Sequence, residues 1–166
     1  MSRNILLTGG SGLVGSYFKK FITPSRQELD VTSFHCVTEF FDRVKPQVVV
    51  HAAAKVGILA GEKERGNKEG SFWQTNIKGT GNIVSNCLKY QAYLIFISAE
   101  VVFSGTKERP GPYSEDDSPE IDKNALSWYG WTKAEAERLV KQRLPTAAIV
   151  RLSNVVGKGI QPRPDY

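Results

Sequence analysis

The feature that most constrains this chain is a glycine-rich turn that directly follows its first apolar run. Ile5-Leu6-Leu7 leads into the segment 8–15, which carries Gly9, Gly12 and Gly15. This is the pattern of a strand, a tight turn and a helix start, in which the glycines permit the turn, close approach to a pyrophosphate and close helix–strand packing. The N-terminus of the helix would add unpaired N–H groups and a positive dipole end. The turn predicts a phosphate cradle; the alternative is a βα turn that holds no ligand.

Strand-like runs alternate with helix-like segments along the rest of the chain. The predicted strands are 5–8, 48–52, 94–98 and 147–152, and the predicted helices are 13–21, 33–44, 71–90 and 128–143. Such alternation predicts the α/β class: a Rossmann-type doubly wound parallel sheet with helices on both faces. The polar segments 57–70 and 107–123 are predicted loops. Each follows the carboxyl end of a strand, which is the ligand edge of an open α/β sheet.

Composition limits the function classes. The 166 residues contain 40% hydrophobic and 23% charged residues, typical of a globular chain of one domain. No apolar run approaches membrane-spanning length, and no basic run is interleaved with aromatic residues, so membrane and nucleic-acid partners are not expected. Cys36 and Cys87 lack metal-ligand spacing, so no metal site is expected. A reduced, cytoplasmic setting follows, and the net charge of +5 suits an anionic small ligand.

A tyrosine and a lysine four residues apart open the predicted helix 128–143. Tyr129 and Lys133 at this spacing share one helix face. A phenol has an ordinary pKa of about 10, and a nearby ammonium lowers the pKa by favouring the phenolate. The pair therefore predicts proton transfer to a carbonyl oxygen during hydride transfer from a nicotinamide. The alternative is a Tyr–Lys surface pair without chemistry.

Taken together, these segments resemble the extended short-chain dehydrogenase/reductases, and among them the dTDP-4-dehydrorhamnose reductase family. The resemblance also includes 25–31, 46–54, Asn76 with Gly79-Thr80, 97–105, 112–116 and 151–154. The stretch 51–57 is similar to GDP-fucose synthase as well. The resemblance covers nearly the whole chain, and it is more specific for the superfamily than for the substrate.

The resemblance implies an NADPH-dependent reductase, or reductase/epimerase, of a 4-keto deoxysugar nucleotide such as dTDP-4-dehydrorhamnose. The alternative is a non-catalytic nucleotide-binding regulatory subunit that keeps the dehydrogenase fold. A homodimer or a regulatory partner is compatible with both hypotheses. The resemblance identifies Tyr129 and Lys133 as catalytic, and it implies that Lys133 also holds the cofactor ribose.

The resemblance also assigns the cofactor contacts. The pyrophosphate cradle would consist of Gly9, Ser11, Gly12, Leu13, Val14 and Gly15, and the cofactor floor of Ala52, Ala53 and Ala54, with Lys55 and Asn76 nearby. Arg26 would pair with an adenosine 2′-phosphate, which favours NADP(H) over NAD(H). Asp30 and Val31 would contact the adenine. In the alternative reading Arg26 is a solvated loop charge, and Asp30 with Thr32 or Ser33 caps the next helix.

The chain departs from the family pattern at the catalytic hydroxyl. Members place a serine or threonine where this sequence has Ala99, and Ser98 lies one residue earlier. One residue on a strand is a change of face, so Ser98 would be the carbonyl donor only if the loop is re-aimed. Loss of one such hydrogen bond costs on the order of 10²-fold in rate.

Two further departures concern length. Only Ser16–Ser25 separate the third glycine from Arg26, which is too little for a helix and a full second strand. We therefore expect strand 2 to be curtailed. We also expect residues 1–166 to form an NAD(P)-binding Rossmann domain without the C-terminal substrate domain of the family.

Overall fold

The fold is built on a parallel four-stranded sheet. A computed structural model describes residues 4–153 and 155. The strands lie in the order β1-β2-β3-β4 and comprise Ile5–Thr8, Val48–His51, Tyr93–Ala99 and Ala148–Leu152. The helices are α1 (Phe34–Val44), α2 (Ile58–Glu62), α3 (Ser71–Trp73), α4 (Thr80–Tyr90) and α5 (Trp128–Arg143), with a π-helical segment over Gln74–Gly79. The predicted Rossmann-type parallel α/β fold is confirmed.

The three long helices, α1, α4 and α5, bury one face of the sheet. Alternate strand residues point to that face and enter the main core: Leu6, Val49, Leu94 and Phe96. The helices contribute to the same core the residues Val37, Phe40, Phe41, Ile83, Val84, Cys87, Ala136 and Val140. The sequence sets the ends of α1, because the Ser33 side chain accepts a hydrogen bond from the backbone N–H of Cys36 and Lys45 adopts a left-handed conformation before Pro46.

The opposite face of the sheet is less covered. Because crossovers between parallel strands are right-handed, the connections β2–β3 and β3–β4 lie on one face of the sheet. The connection from β1 to Ile22 runs in the opposite direction across the sheet, so it lies on the other face. On that second face Tyr93 is 47% and Val150 38% exposed, and Ile95 and Ile97 are half-buried. Leu7 and Val50 of the same face are buried, at 0% and 6% exposed, so among the described residues the less covered part of this face lies at β3 and β4.

The helix predicted over 13–21 is wrong. In its place the chain makes a single 3₁₀ turn, Gly15–Tyr17, and leaves helical geometry at Phe18, where φ is −96° and ψ is 77°. Tyr17 is 57% and Phe18 37% exposed, so these side chains do not form the buried helix face that their spacing predicted. The glycine turn consequently lacks the dipole of a full helix.

The second strand is curtailed, as predicted. Ile22 forms a single parallel bridge with Leu6 at the edge of β1 remote from β2. Two hydrogen bonds hold it there: Leu7 N to Ile22 O at 2.8 Å and Ile22 N to Ile5 O at 2.9 Å. The short chain after the glycine turn must reach this edge, and it does so without room for a helix.

The remaining elements differ from prediction in detail. The predicted loop 57–70 contains the short helix α2, whereas 107–123 is irregular as expected. The predicted helix 71–90 is present, with the π-helical segment in the middle.

In the described part of the chain no helix combines the length and apolarity needed to cross a membrane, and no three side chains cluster as metal ligands. Of the segments that carry the family resemblance, Asn154 lies outside the described residues.

Candidate active site

The glycine turn packs against the end of β2 with no space for side chains. Gly9 has φ +77°, and a Cβ there would lie 2.6 Å from Ala53 N and 2.8 Å from Ala52 O. A Cβ on Gly15 would lie 2.3 Å from Gly9 O, so the third glycine serves the closure of the turn on itself rather than helix–strand packing. Gly12 N donates to Gly9 O at 3.0 Å. The turn is thus a compact backbone cradle of the kind that fits a pyrophosphate.

The predicted adenosine contacts have local structural roles. Arg26 is exposed, inside a turn in which Ser25 N donates to Glu28 Oε2 at 2.8 Å. Asp30 Oδ1 accepts from the backbone N–H and the hydroxyl of Thr32 at 2.9 and 2.8 Å, just before the helix cap of α1. The alternative reading of Asp30 as a residue of the helix start therefore agrees with the structure.

Val31 is buried beneath the helical segment that leads into α4. It is 7% exposed, and its carbonyl accepts from Asn82 Nδ2 at 2.9 Å. A Cβ on Gly79 would lie 2.9 Å from Val31 Cγ2, which explains the glycine inside a helical segment. Val31 thus ties the curtailed strand region to the helix layer.

The alanine floor continues from β2, and Asn76 fixes the segment that follows it. Ala52, Ala53 and Ala54 are half-buried. Asn76 is 1% exposed; its Oδ1 accepts from Lys55 N at 2.8 Å, and its Nδ2 donates to Lys55 O at 3.0 Å and Thr132 Oγ1 at 2.9 Å. The Asn76 amide thus joins the segment after β2 to α5.

The predicted catalytic pair lies on the first turns of α5. Ser127 caps the helix by accepting from Gly130 N at 3.0 Å. Tyr129 is 9% exposed and meets the Phe72 ring edge-on, with ring centroids 6.3 Å apart. Gly61 also packs closely against the backbone N of Tyr129. Together these contacts fix the position of the tyrosine.

Lys133 is buried beneath Tyr129 with its charge against the sheet. It is 3% exposed; Nζ donates to Ile97 O at 2.8 Å and lies 4.2 Å from the centre of the Phe96 ring. Burial lowers the pKa of Lys133 to about 7, while the Glu137 carboxylate acts in the opposite direction. An ammonium with this pKa can exchange a proton near neutral pH.

The structure does not re-aim the end of β3. Ser98 and Ala99 remain in the strand, paired with Arg151 and Leu152, so their side chains point to opposite faces. Ser98 is 3% exposed, and among the described residues its hydroxyl has no hydrogen-bond partner. The condition on which Ser98 was predicted as carbonyl donor is therefore not met, and Ala99 leaves its own position without a hydroxyl.

A buried histidine escaped the sequence analysis. His51 Nδ1 accepts from Thr8 Oγ1 at 2.7 Å, and Thr8 Oγ1 in turn accepts from Ala53 N at 3.2 Å. Thr80 Oγ1 donates to Asn76 O at 2.6 Å, so it accepts the Nε2 proton of His51 at 3.1 Å. Burial, aided by the Lys133 charge, lowers the pKa of His51 to about 3 and keeps the ring neutral. The sequence signal for this buried residue was a histidine inside the apolar run 48–52.

A buried ion pair also escaped prediction. Glu137, on α5, is fully buried, and Arg151 of β4 donates to its carboxylate at 2.8 Å. The guanidinium also lies 4.8 Å from the centre of the Phe103 ring. The pair joins the interior of α5, the helix that carries Tyr129, to the last strand.

The fold is that of a Rossmann-type α/β protein, and a tyrosine–lysine pair lies on the first turns of α5. Residues 3–162 match the RmlD substrate binding domain family, and the chain belongs to that family.

Relatives of two kinds are similar to the chain. The methionine adenosyltransferase 2 subunit beta of Bos taurus is 29% identical over 95% of this chain and 48% of its own length. The dTDP-4-dehydrorhamnose reductase of Aggregatibacter actinomycetemcomitans is 28% identical over 93% of this chain and 52% of its own.

Solved structures of dTDP-4-dehydrorhamnose reductases are also similar to the chain. The dTDP-4-dehydrorhamnose reductase of Bacillus anthracis, solved in complex with NADP, superposes with a TM-score of 0.84 at 26% identity, over 97% of this chain and 57% of that one. The corresponding protein of Clostridium acetobutylicum gives 0.78 at 30% identity, over 95% and 56%. The chain thus spans about half the length of the relatives it matches.

Proposed function

We propose that the chain is the cofactor-binding part of an NADPH-dependent reductase that acts on the keto group of a 4-keto deoxysugar nucleotide, such as dTDP-4-dehydrorhamnose. The observation that carries the proposal is Tyr129 with Lys133 on the first turns of α5, in a chain whose glycine turn has space for backbone alone. Membership of the RmlD substrate binding domain family supports it.

The chain's own residues supply binding and proton transfer. The N–H groups of the glycine turn would bind the pyrophosphate, and the exposed Arg26 would pair with a 2′-phosphate and favour NADP(H). When bound, the nicotinamide supplies a hydride. Tyr129 would donate a proton to the carbonyl oxygen, and Lys133, held at Ile97 O, would lower the pKa of the phenol and contact the ribose.

The test is Tyr129→Phe in the complete protein. This change removes the proton donor but keeps the ring that packs on Phe72. We expect kcat for NADPH oxidation with a 4-keto nucleotide-sugar to fall by about 10²-fold or more, because general acid catalysis contributes about 10² to 10⁴. NADPH affinity, measured by calorimetry, should stay unchanged. A wild-type protein without turnover, or a variant as active as the wild type, would contradict the proposal.

A second candidate is a non-catalytic NADP(H)-binding subunit that regulates a partner enzyme. Ala99 favours it, since Ala99 has no hydroxyl and Ser98 stays in the strand, where its side chain points to the opposite face. Similarity to proteins named as a methionine adenosyltransferase subunit also favours it. Calorimetric titration with NADPH and NADH separates the two functions: binding without turnover supports the subunit, and absence of binding excludes both.

A further inference from the structure

Two charged side chains connect the segment after β2 to the start of α5. Glu62, the last residue of α2, accepts from Trp128 N through Oε1 at 2.6 Å. Arg65 donates to the Glu62 carboxylate at 2.6 and 2.9 Å. It also donates to Leu126 O at 2.8 Å and Lys123 O at 3.3 Å. Glu62 and Arg65, which we call the α5 clamp, thus bond to the backbone on both sides of the helix cap.

The clamp supplies a hydrogen-bond acceptor for a backbone N–H group that the start of a helix leaves unpaired. The first four N–H groups of a helix have no partner within it. The Ser127 hydroxyl accepts from Gly130 N, and Glu62 accepts from Trp128 N, so two of those groups are paired. A carboxylate at this position is also favoured by the helix dipole. The Arg65 hydrogen bond holds the pKa of Glu62 below its usual range, with burial acting against it.

Packing around the clamp leaves little freedom to Tyr129. A Cβ on Gly61 would lie 3.1 Å from Tyr129 N and 3.3 Å from the Phe72 ring. The Trp128 ring stacks on Trp73 with centroids 5.9 Å apart. The residue that follows the clamped N–H is Tyr129 itself, so the clamp acts one residue from the proposed proton donor.

We propose that Glu62 and Arg65 are positioning residues that fix the first turn of α5 and thereby hold the Tyr129 phenol in place for proton transfer. The inference rests on the proposed function. Four N–H groups of Arg65 and both carboxylate oxygens of Glu62 form hydrogen bonds within the clamp or to the backbone around the helix cap.

The test compares two ion pairs of similar exposure. Glu62→Ala removes the clamp, and Glu135→Ala removes the Arg138–Glu135 pair of α5, which does not bond to the helix start. Side-chain exposures are 39% and 37% in the clamp and 33% and 31% in the control pair. We expect Glu62→Ala to lower kcat about tenfold or more with KM for NADPH unchanged, because misplacing a catalytic group by about 1 Å can cost 10²-fold.

A conservative variant checks the interpretation. Glu62→Gln keeps an oxygen for Trp128 N and loses only the ion pair, so its kcat should stay within about fivefold of the wild type. Equal kcat values for Glu62→Ala and Glu135→Ala would overturn the proposal. So would a rise in KM for NADPH with kcat unchanged, since that pattern indicates lost binding rather than lost positioning.

A second readout separates this inference from the proposed function. In protein labelled with ¹³C at the tyrosine Cζ, the Tyr129 resonance is assigned by its absence from Tyr129→Phe. Glu62→Ala should shift or broaden that resonance, and Glu135→Ala should leave it unchanged. Lack of turnover in the wild type would remove the reductase proposal alone, whereas an unmoved Tyr129 resonance in Glu62→Ala would overturn the clamp.

Discussion

At the scale of single residues, Lys133 shows how burial changes the properties of a side chain whose place on a helix the sequence predicted. The four-residue spacing to Tyr129 gave its helix face, but the desolvation comes from the sheet and from Phe96 beneath it. A charged lysine in this place carries a cost in folding free energy that local sequence does not reveal.

The pKa of Lys133 leads to a prediction about stability. Its pKa falls from 10.5 in the unfolded chain to about 7 in the folded one. Between these values the unfolded state binds more protons, so the free energy of unfolding should rise with pH by up to about 1.4 kcal/mol per unit relative to Lys133→Met. Below pH 7 the difference should be constant. Urea unfolding of both proteins from pH 6 to 10 measures it, and parallel curves would contradict it.

Other residues could not be placed from the sequence because their partners are distant. Glu62 bonds to a backbone N–H 66 residues away, and Asn76 to a hydroxyl 56 residues away. The Tyr129–Lys133 pair is local, with both members on one helix, so spacing alone identified it. The cradle glycines were identified for the same reason, although their contacts with Ala52 and Ala53 are not local.

At the scale of elements, the helix predicted over 128–143, a segment rich in alanine and charged pairs, matches α5 at both ends. The helix predicted over 13–21 from the spacing of its apolar residues is absent. The difference is the length of chain available, because the segment after Gly15 must reach the edge of β1 at Ile22. The small number of residues between Gly15 and Arg26 had already predicted a curtailed second strand. The same small number leaves no room for a helix.

The packing of α5 on the loop after β3 gives a prediction. A Cβ on Gly130 would lie 2.3 Å from Val101 O, so Gly130→Ala must displace α5. We expect a loss of about 1–3 kcal/mol in the free energy of unfolding. Gly81→Ala in α4 is the matched control, since its Cβ would meet Leu139 Cδ1 at an ordinary 3.6 Å. That variant should gain about 0.5–1 kcal/mol from helix propensity. Denaturant titration compares them; equal effects would show that contact with Val101 does not matter.

At the scale of the whole molecule, the two faces of the sheet are unequally covered towards the edge strand β4. Val49 is fully buried on the face of α1, α4 and α5, and Val150 on the opposite face is 38% exposed. The doubly wound pattern predicted helices on both faces, but in residues 4–153 and 155 the connection from β1 to Ile22 holds only the 3₁₀ turn. The alternation of strands and helices predicted the class of fold. The short connection from β1 to Ile22 explains why the two faces of the sheet are covered unequally.

This asymmetry can be measured with one type of substitution. Val49→Ala should lower the free energy of unfolding by on the order of 2 kcal/mol, because it removes buried methyl groups and leaves a cavity. Val150→Ala should cost less than about 1 kcal/mol, because part of that surface is already in water. Thermal unfolding of both variants tests the difference, and equal shifts in Tm would show that the second face is as well packed as the first.

The 3₁₀ turn that replaces the first helix also bears on how the domain assembles. A strand followed by a long helix gains early contacts from its own neighbourhood. β1 gains few of these: its single bridge is to Ile22, and its full partner is β2, where the Thr8 hydroxyl meets His51 43 residues further on. Loop-closure entropy must be overcome before such long-range contacts contribute, so the glycine turn is fixed in place by contacts that are distant in sequence rather than by its own neighbourhood.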